Sequence, residues 1–553
     1  MEKGIDLLHN NLDKKIFIKV DPDVDGYTSA AYVRMFLQRI KPDVEIEYML
    51  NFNKRHGLYL EDIVDKKDLG LIIIPDASFE VEEGKKIKEE FDIPILIIDH
   101  HIIEEKNKEI HKYATVINCT EGGYPNPTLS GVGVVHKFFL AYSKKYNIPQ
   151  EVCNYFLDIV ALGMIADGMD LRNLETRFYA LQGLAIENRN SELIKEMAIK
   201  YAEDMKFGHT ITNYGWVIAP KMNGTIRYGK EEEQIDLFRA LCEEKEDREY
   251  QPRRKHKDDP LPEKEIHSLQ KTMARVCLNV KQRQDVEVSK FMKRLETIIE
   301  KDRLYTNSII IVDGSDILEK PTVTGLVANK ISGKYKRPVL MLRDYAGEED
   351  YFGGSGRGFG KVSNNFKDLL IETGLFDECN GHANAFGVKL LKSRIDEVVK
   401  ACNQKIKMED LNVVHDVDYE VQANKLKEKD LKDVANSYEI WGNCVPEPVF
   451  AITNLRINTK DIHAYGEKNG FIRFVYNKIP FIKKYCKADE YNRMILSSKN
   501  DFGPSAKEIE MTIIGKFSLN EYEGSVYPQV RIEEFESKLC TMTTNKNDDD
   551  FVF

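Results

Sequence analysis

The 553-residue chain lacks several features that mark whole classes of protein. No apolar run reaches the roughly 18 residues that a membrane-spanning helix requires. The first segment, MEKGIDLLHNNLDKK, has acids and asparagines where a secretory signal has a basic start and then an apolar stretch. The nine cysteines include no CxxC pair and no regular spacing, which argues against a disulfide framework or a zinc ribbon. We therefore expect a protein without membrane association that works in the cytosol.

The chain also has too little positive charge to coat nucleic acid without specificity. Its formal net charge is -11, whereas such binding depends on lysines and arginines that displace counterions from phosphates. Basic stretches occur at residues 330–338 and 477–487. The charge balance does not exclude a nucleic-acid enzyme, because a metal site is itself a cluster of acids whose bound cations change the local field.

Length and composition indicate several globular domains. With 42% hydrophobic and 31% charged residues, the composition is that of an ordinary globular protein. A chain of this length divides into about three or four domains of roughly 100 to 200 residues. The pattern along the chain predicts segments at residues 1–205, 206–304, 305–405 and 409–540, and a polar then acidic tail at 541–553.

The first segment alternates apolar strands with helical patterns. Strands are predicted at 14–20, 69–75 and 93–99, and a helix from Thr28 to Ile40. Strands of this kind, separated by helices, indicate a parallel sheet that is covered on both faces. Ligands of such sheets lie beyond the carboxyl ends of the strands.

The later segments have other patterns. Residues 243–265 are almost wholly charged, contain three prolines and are interpreted as a solvated insertion without an assigned role. Residues 279–301 are predicted to form one long helix that joins two lobes, and a second α/β block follows it. Near the end, short β-rich segments such as 470–479 and 511–517 indicate a small barrel.

Four places in the first segment carry acids or histidines directly after apolar residues. They are the acids of DPDVDG at 21–26, Asp76, the triplet at 99–101, and Asp167 after IVALGMIA. Parallel strands end at one edge, so the first three groups converge there, and an acid that ends a nearby helix can join them. An acid after a strand is often only a turn former or a helix N-cap. That explanation does not cover all four places together.

Carboxylates mixed with imidazole suit Mn²⁺ or Mg²⁺ better than a metal selected by thiolates. Two such ions, about 3.5 to 4 Å apart, clamp the attacking and leaving oxygens of a phosphoryl displacement and lower the pKa of a bound water. The carboxylate that bridges the ions is expected in the middle of the sheet, at Asp76. The sequence therefore predicts a two-metal site.

These residues resemble the DHH phosphoesterase superfamily, which is named for the triplet Asp99, His100 and His101. DPDVDGYTS is similar to its first motif, PDAS to its second acid, and ALGMIADGMDLRNLETR to the segment with its last ligand. Other segments narrow the resemblance to RecJ-type single-strand exonucleases, in the right order along nearly the whole chain. They are APKMNGTIRYG (219–229), TVTGLVANKISGKYKRPVLML (322–342), GGSGRGFG (353–360), NGHANAFG (380–387) and EIWGNCVPEPVFAITNLRI (439–457).

The resemblance implies an α/β fold and a role for each motif. A parallel-sheet DHH domain and an α/β accessory (DHHA1) domain are joined by a long helix, and a C-terminal β-barrel OB-fold follows. The implied ligands of two Mn²⁺ or Mg²⁺ ions are Asp23, Asp25, Asp76, His100 and Asp167. His101 would face the scissile phosphate, and Asp21 would orient a ligand or the water. The implied phosphate or DNA contacts are Ser355, Arg357, His382, Asn223 and Arg227.

Two departures and one open assignment accompany the resemblance. Many members have a histidine where this chain has Lys19, which leaves the coordination of one ion open, and Asn380 replaces a glycine that asparagine can imitate. The glycines at 353–358 are predicted to form a loop that lets the backbone approach a phosphate, although such a loop is often only a turn. In the barrel, the candidates for single-strand contacts are Phe471, Phe474, Tyr476 and the lysines at 483, 484 and 487. About half of such aromatics face the core, so none is assigned individually.

The implied function is metal-dependent hydrolysis of single-stranded DNA to mononucleotides in repair, recombination or replication, with 5′ to 3′ polarity by resemblance alone. The alternatives are a DHH enzyme for short oligonucleotides or cyclic dinucleotides, and a noncatalytic scaffold that binds single strands. The resemblance favours a monomer. Partners would be a single-stranded-DNA-binding protein, a helicase or a replication protein. The acidic tip NDDDFVF is a candidate docking peptide, or else a frayed terminus.

Overall fold

The computed structural model describes residues 1–52, 55–103, 105–121, 123–254, 256–318, 323–412, 415–466, 470–486, 488–497, 507–522 and 525–540. The chain divides into two compact units, residues 1–413 and 414–553. The finer division of the first unit into catalytic, connecting and accessory domains stays a prediction. The tail at 541–553 and Lys487 lie outside the described residues.

A five-stranded parallel sheet opens the first unit, in the order β2-β1-β3-β4-β5. Its strands are β1 (Lys15–Val20), β2 (Ile46–Leu50), β3 (Leu69–Pro75), β4 (Ile95–Asp99) and β5 (Thr115–Asn118). Nearly every residue of β1, β3 and β4 is buried. The three predicted strands are therefore direct neighbours, and their carboxyl ends lie side by side. The edge strands β2 and β5 are additions to the predicted set.

Helices accompany this sheet along the chain. They are α1 (Glu2–His9), α2 (Val24–Ile40), α3 (Val81–Phe91), α4 (Gly131–Lys145), α5 (Glu151–Asn154), α6 (Leu157–Ala166), α7 (Leu174–Leu184), α8 (Glu192–Lys200), α9 (Ile211–Asn213), α10 (Ala219–Tyr228) and α11 (Glu231–Leu241). Helix α2 begins four residues before the predicted Thr28, because the side chain of Asp23 caps it by accepting a hydrogen bond from the Gly26 amide at 3.0 Å. This cap brings Asp25 into the first helical turn, at the edge of the sheet.

The predicted long helix is confirmed and is longer than expected. Helix α12 (Leu269–Lys301) has 33 residues and is therefore about 50 Å long. Buried residues at helical spacing, such as Val288, Phe291 and Leu295, form its inner face. Before it, β6 (Asp247–Tyr250) and β7 (Glu265–Ser268) pair as an antiparallel ribbon. The ends of the charged insertion are thus ordered strands.

A second five-stranded sheet follows, in the order β11-β12-β10-β9-β8. Its elements are β8 (Ile310–Asp313), α13 (Thr324–Tyr335), β9 (Val339–Tyr345), β10 (Glu348–Arg357), α14 (Phe366–Ile371), β11 (Glu378–His382), β12 (Ala385–Leu391) and α15 (Ile395–Lys405). The predicted glycine-rich loop is wrong over Gly353–Arg357, which lie in β10. A Cβ on Gly354 would lie 2.3 Å from the Met341 carbonyl oxygen, and one on Gly356 would lie 2.7 Å from the Phe386 ring. These glycines are needed for close packing between strands.

The second unit contains a seven-stranded sheet around one core, in the order β13-β14-β18-β19-β17-β16-β15. Its elements are β13 (Tyr419–Gln422), α16 (Glu428–Ala435), β14 (Phe450–Asn458), β15 (His463–Tyr465), β16 (Gly470–Tyr476), β17 (Ile479–Cys486), α17 (Ala488–Met494), β18 (Glu508–Tyr522) and β19 (Ser525–Leu539). Among the described residues of both units, no helix has the length and apolar character needed to cross a bilayer.

A buried ion pair ties β1 to the segment after β2. The Lys19 ammonium lies 2.9 Å from the Asp62 carboxylate, and their side chains are 1% and 4% exposed. The same carboxylate accepts a hydrogen bond from the Tyr59 amide at 3.0 Å and lies 3.3 Å from the Arg55 guanidinium. Burial lowers the pKa of Lys19, against the opposing effect of Asp62. The charge at position 19 is therefore stable only while Asp62 remains ionised beside it.

Substituting Asp62→Asn should destabilise the first unit, because it leaves the buried Lys19 ammonium without its counter-ion. The expected loss is about 3 to 5 kcal/mol in the free energy of unfolding, measured by urea unfolding of the full chain. Asp43→Asn is the matched control, since the Asp43 side chain is 79% exposed in its pair with Lys41. Equal unfolding midpoints for the two variants would contradict the assignment.

Candidate metal centre and substrate cleft

Acids and imidazoles converge where β1, β3 and β4 end. Three overlapping groups each offer ligand atoms within 4.8 Å of one another. Asp76 belongs to two of the groups and so does His100, which links all three into one cluster. The groups are Asp21, Asp23 and Asp76; Asp25, His100 and Asp167; and Asp76, Asp99, His100 and His101. The structure thus brings together all five residues predicted as ligands, and their role as ligands stays a prediction.

Asp25 is fixed by the start of another helix. Its carboxylate accepts hydrogen bonds from the Ser130 hydroxyl at 3.0 Å and from the amides of Gly131 and Val132 at 2.6 and 3.2 Å. These donors lie at the amino end of α4, whose dipole favours an anion. Burial, and then the charge of Asp23, raise the pKa of Asp25 to about 7.

Asp76 stands at the centre of the cluster. Its backbone is left-handed, with φ of 60°, and its Oδ1 is buried without a hydrogen-bond partner among the described residues. The His100 Nε2 lies 3.3 Å from this oxygen. A Cβ on Gly131 would lie 2.3 Å from it, so only glycine at position 131 leaves room for the carboxylate. Burial and the neighbouring acids, first Asp25, raise the pKa of Asp76 well above its usual range.

The cluster fits divalent cations by its chemistry. Burial, and then Asp25 and Asp23, raise the pKa of Asp167 to about 8, so three carboxyls of the cluster resist ionisation in the absence of a cation. Oxygen donors with one or two imidazoles suit Mg²⁺ or Mn²⁺. A buried carboxylate oxygen without a donor, such as Asp76 Oδ1, is an open ligand position. The residues present therefore fit the predicted pair of ions.

The two histidines of the triplet differ in their environment. Burial, and then the charge of His101, lower the pKa of His100 to about 4, so its imidazole is neutral and can act as a ligand. The hydrogen bond between His101 Nδ1 and Asp99, at 2.8 Å, raises the pKa of His101 to about 9. His101 is 61% exposed on its side chain and is a cation near neutral pH. Asp99 thus orients His101 and stabilises its protonated form.

Asp21 and Asp23 have basic partners. The Arg227 guanidinium lies 3.5 Å from Asp23, and the His56 Nδ1 lies 3.0 and 2.9 Å from the two oxygens of Asp21. Burial raises the pKa of Asp21, while the bond to His56 opposes this effect. Lys19 does not take the place of the family's histidine as a ligand, because its ammonium is bound to Asp62. An imidazole is nevertheless present beside the first motif, from His56.

A cleft of about 780 Å³ opens beside this cluster, between the two sheets of the first unit. Arg227 lines it together with Ser355 and Arg357 from β10. Burial, and then the charge of Arg227, lower the pKa of Arg357, so two guanidiniums meet where an anion would sit. His382 does not line this cleft, but it lies near enough to His100 for its charge to lower the pKa of His100.

Asn223 lies one helical turn before Arg227 on α10. Its side-chain oxygen is buried and has no hydrogen-bond partner among the described residues, and it is not among the residues that line the cleft. Three of the five predicted phosphate or DNA contacts, Arg227, Ser355 and Arg357, thus line the cleft, whereas His382 and Asn223 do not.

The barrel candidates fall on both sides of the sheet. Phe474 is 1% exposed and belongs to the core, whereas Phe471 is 37% exposed. Lys483 is a poor candidate, because it is 9% exposed and donates to the Glu533 carbonyl at 2.7 Å. A groove of about 600 Å³ is lined by Phe471, Arg473, Lys478 and Tyr527. Tyr527 is thus an aromatic that the sequence pattern did not single out.

Two features of the site have no signature in the sequence. The amides of Gly131 and Val132 bind Asp25 through the backbone, and backbone donors are not visible in residue types. His56 lies in a loop outside every motif. The only sequence signal near it is the pair of neighbours Arg55 and Gly57 in the segment after β2.

Comparisons with known proteins agree with this geometry. Residues 15–164 match the family model described as DHH family, N-terminal domain, and residues 417–534 match the RecJ OB domain. A protein of Bacillus subtilis (strain 168), the "Putative SPbeta prophage-derived single-strand DNA-specific exonuclease YorK", is 34% identical over 545 residues, covering 97% of this chain and 90% of the relative. The single-stranded-DNA-specific exonuclease RecJ of Bacillus subtilis (strain 168) is 24% identical, covering 94% of this chain and 61% of the relative.

Solved structures share the fold. RecJ from Thermus thermophilus in complex with Mn²⁺ superposes with a TM-score of 0.70 at 17% identity, covering 97% of this chain and 72% of that one. The same protein in complex with Mg²⁺ gives a TM-score of 0.64 at 16% identity, covering 97% of this chain and 70% of that one. The chain therefore belongs to the DHH family and, within it, to the RecJ-like proteins that carry a RecJ OB domain.

Proposed function

We propose that this protein is a metal-dependent exonuclease that hydrolyses single-stranded DNA to mononucleotides. The observation that carries the proposal is the linked cluster of Asp23, Asp25, Asp76, His100 and Asp167 at the end of the parallel sheet. Relatives named as single-strand DNA-specific exonucleases, and solved relatives with Mn²⁺ or Mg²⁺, support it. Degradation from the 5′ end rests on resemblance to RecJ alone.

The five ligands would hold two Mn²⁺ or Mg²⁺ ions, and Asp76 is the carboxylate that two of the ligand groups share. When bound, such ions supply Lewis-acid activation of a water and of the phosphodiester. Asp21, buried beside Asp23, orients the attacking water by accepting its hydrogen bond. His101, held by Asp99 as a cation, donates a hydrogen bond to the scissile phosphate.

The cleft supplies the binding energy for the strand. Arg227 and Arg357 face one space together with the Ser355 hydroxyl, which is a donor set suited to phosphate oxygens. His382, which is near His100, and Asn223, one helical turn before Arg227 on α10, would add contacts beyond the residues that line the cleft. In the second unit, Phe471 and Tyr527 line a groove with Arg473 and Lys478. Aromatic faces with cations bind single strands with little sequence preference.

A 5′-labelled single strand incubated with Mn²⁺ tests the proposal against its alternatives. We expect stepwise release of mononucleotides that stops on chelation with EDTA and returns when Mn²⁺ is restored. Cleavage restricted to dinucleotides would favour an enzyme for very short oligonucleotides, and binding without products would favour a scaffold. A matched 3′-labelled strand establishes the end from which hydrolysis begins.

Asp76→Asn should separate activity from stability. The neutral amide keeps the shape of the side chain but removes the anionic oxygen at the centre of the cluster, so we expect the rate of mononucleotide release to fall by a factor of about 100 or more. Because folding raises the pKa of Asp76, the ionised carboxyl weakens the folded state as the pH rises. In EDTA at mildly alkaline pH, the variant should therefore melt about 2 to 4 °C higher than the native protein.

Asp43→Asn, an exposed acid outside the cluster, is the control and should change neither quantity. A variant Asp76→Asn that keeps its activity would show that Asp76 is not a ligand. One that melts lower in EDTA would show that the carboxylate is a structural anchor.

The acidic tip at residues 547–553 is a proposed docking peptide for a single-stranded-DNA-binding protein, a helicase or another replication protein. Its sequence NDDDFVF places acids before the aromatic residues Phe551 and Phe553, which suits an apolar pocket with a basic rim. Deleting residues 548–553 should leave hydrolysis of naked DNA unchanged and weaken binding to such partners, measured by calorimetry. Unchanged partner binding would remove this role.

A further inference from the structure

His56 is a titratable side chain that lines the cleft and is not used by the proposed chemistry. His56 lines the cleft beside Pro22 and Arg227, opposite Ser355 and Arg357. Its side chain is 60% exposed, whereas that of its partner Asp21 is 4% exposed. The imidazole therefore stands between the buried carboxylate and the open cleft.

The loop around His56 is built to hold it in place. Gly57 has φ of +76°, and a Cβ there would lie 2.3 Å from the Ser78 carbonyl oxygen. The side chain of Asn51 donates to the Gly57 carbonyl at 3.0 Å. On the other side, the Arg55 guanidinium lies 2.7 Å from Glu61 and 3.3 Å from Asp62. Both neighbours of His56 are thus anchored.

We propose that His56 is a phosphate-binding residue of the cleft, which donates through Nε2 to an oxygen of the bound strand while Asp21 holds its Nδ1. This inference rests on the proposed function, since it takes the DNA backbone as the ligand. An imidazole placed between a carboxylate and a phosphate carries a hydrogen on both nitrogens and donates to each. Arg227 and Arg357, which line the same cleft, supply the other charges that a phosphodiester requires.

The geometry argues against two other roles. His56 is absent from the ligand groups found among the described residues, and its Nδ1 is bound to Asp21 at 2.9 Å, so the geometry gives no support to a role as a metal ligand. A role confined to holding Asp21 would need only Nδ1. Such a role would not explain why the other edge of the imidazole is exposed to the cleft.

Two conservative variants distinguish phosphate binding from support of Asp21. His56→Gln presents an amide near the position of Nε2, and His56→Asn presents one near Nδ1. If Nε2 binds phosphate, His56→Ala and His56→Asn should raise KM for a single strand with Mn²⁺ by about tenfold or more, with a smaller change in kcat, and His56→Gln should stay closer to the native value. The affinity for Mn²⁺ alone, measured by calorimetry, should be unchanged in all three.

His111→Gln is the matched control, because His111 pairs with Glu121 at 3.0 Å on the surface.

The outcomes are separable. The reverse order, in which His56→Asn resembles the native protein and His56→Gln resembles His56→Ala, would show that the residue acts only through Asp21. Native KM in all variants, or a loss of Mn²⁺ affinity, would also overturn the inference. If the native protein does not hydrolyse single strands, the proposed function fails and this inference fails with it. If the native protein hydrolyses them but the variants match the control, only the role of His56 fails.

Discussion

Carboxylates buried within a few ångströms of one another repel, yet the topology of the first sheet brings several of them to the same edge. Because β1, β3 and β4 are neighbours and parallel, Asp21, Asp76 and Asp99 leave the sheet at one edge. The first turn of α2 brings Asp25 to the same place, and the backbone amides at the amino end of α4 partly offset its charge. Burial, and then the charge of a neighbouring acid, raise the pKa values of Asp25, Asp76 and Asp167. Binding of divalent cations would therefore offset the free-energy cost of keeping these carboxylates ionised and close together.

Close approach around the acids depends on glycine. A Cβ on Gly26 would lie 2.6 Å from the Asp21 backbone oxygen, and one on Gly163 would lie 2.5 Å from the Asp25 carboxylate. Gly131 makes the corresponding room for Asp76. In each case the backbone at the glycine lies so close to an acid of the cluster that no side chain fits between them. The cluster is therefore held by close packing as well as by hydrogen bonds.

The sequence was most informative where chemistry and periodicity coincide. Asp76 and the triplet at 99–101 each end an apolar strand, so the period of the sheet predicted their meeting, and the buried residues of α12 follow the helical spacing that predicted this helix. The glycines of β10 have the composition of a loop. Their packing partners, Met341 and Phe386, are distant in the sequence, so the local pattern does not predict a strand. The place of His56 in the site is not predictable from the sequence for a similar reason, since it depends on a bond to Asp21 that no spacing reveals. Backbone amides, such as those that hold Asp25, leave no trace in residue types.

Helix α12 passes from α8 and α10 beside the first sheet to the core beneath β8 and β9 of the second. The same helix therefore packs against the part of the first unit that carries Arg227 and against the sheet that carries Ser355 and Arg357. A substitution on its buried face, at Phe291 or Leu295 for example, would disturb the second core without touching any residue that lines the cleft.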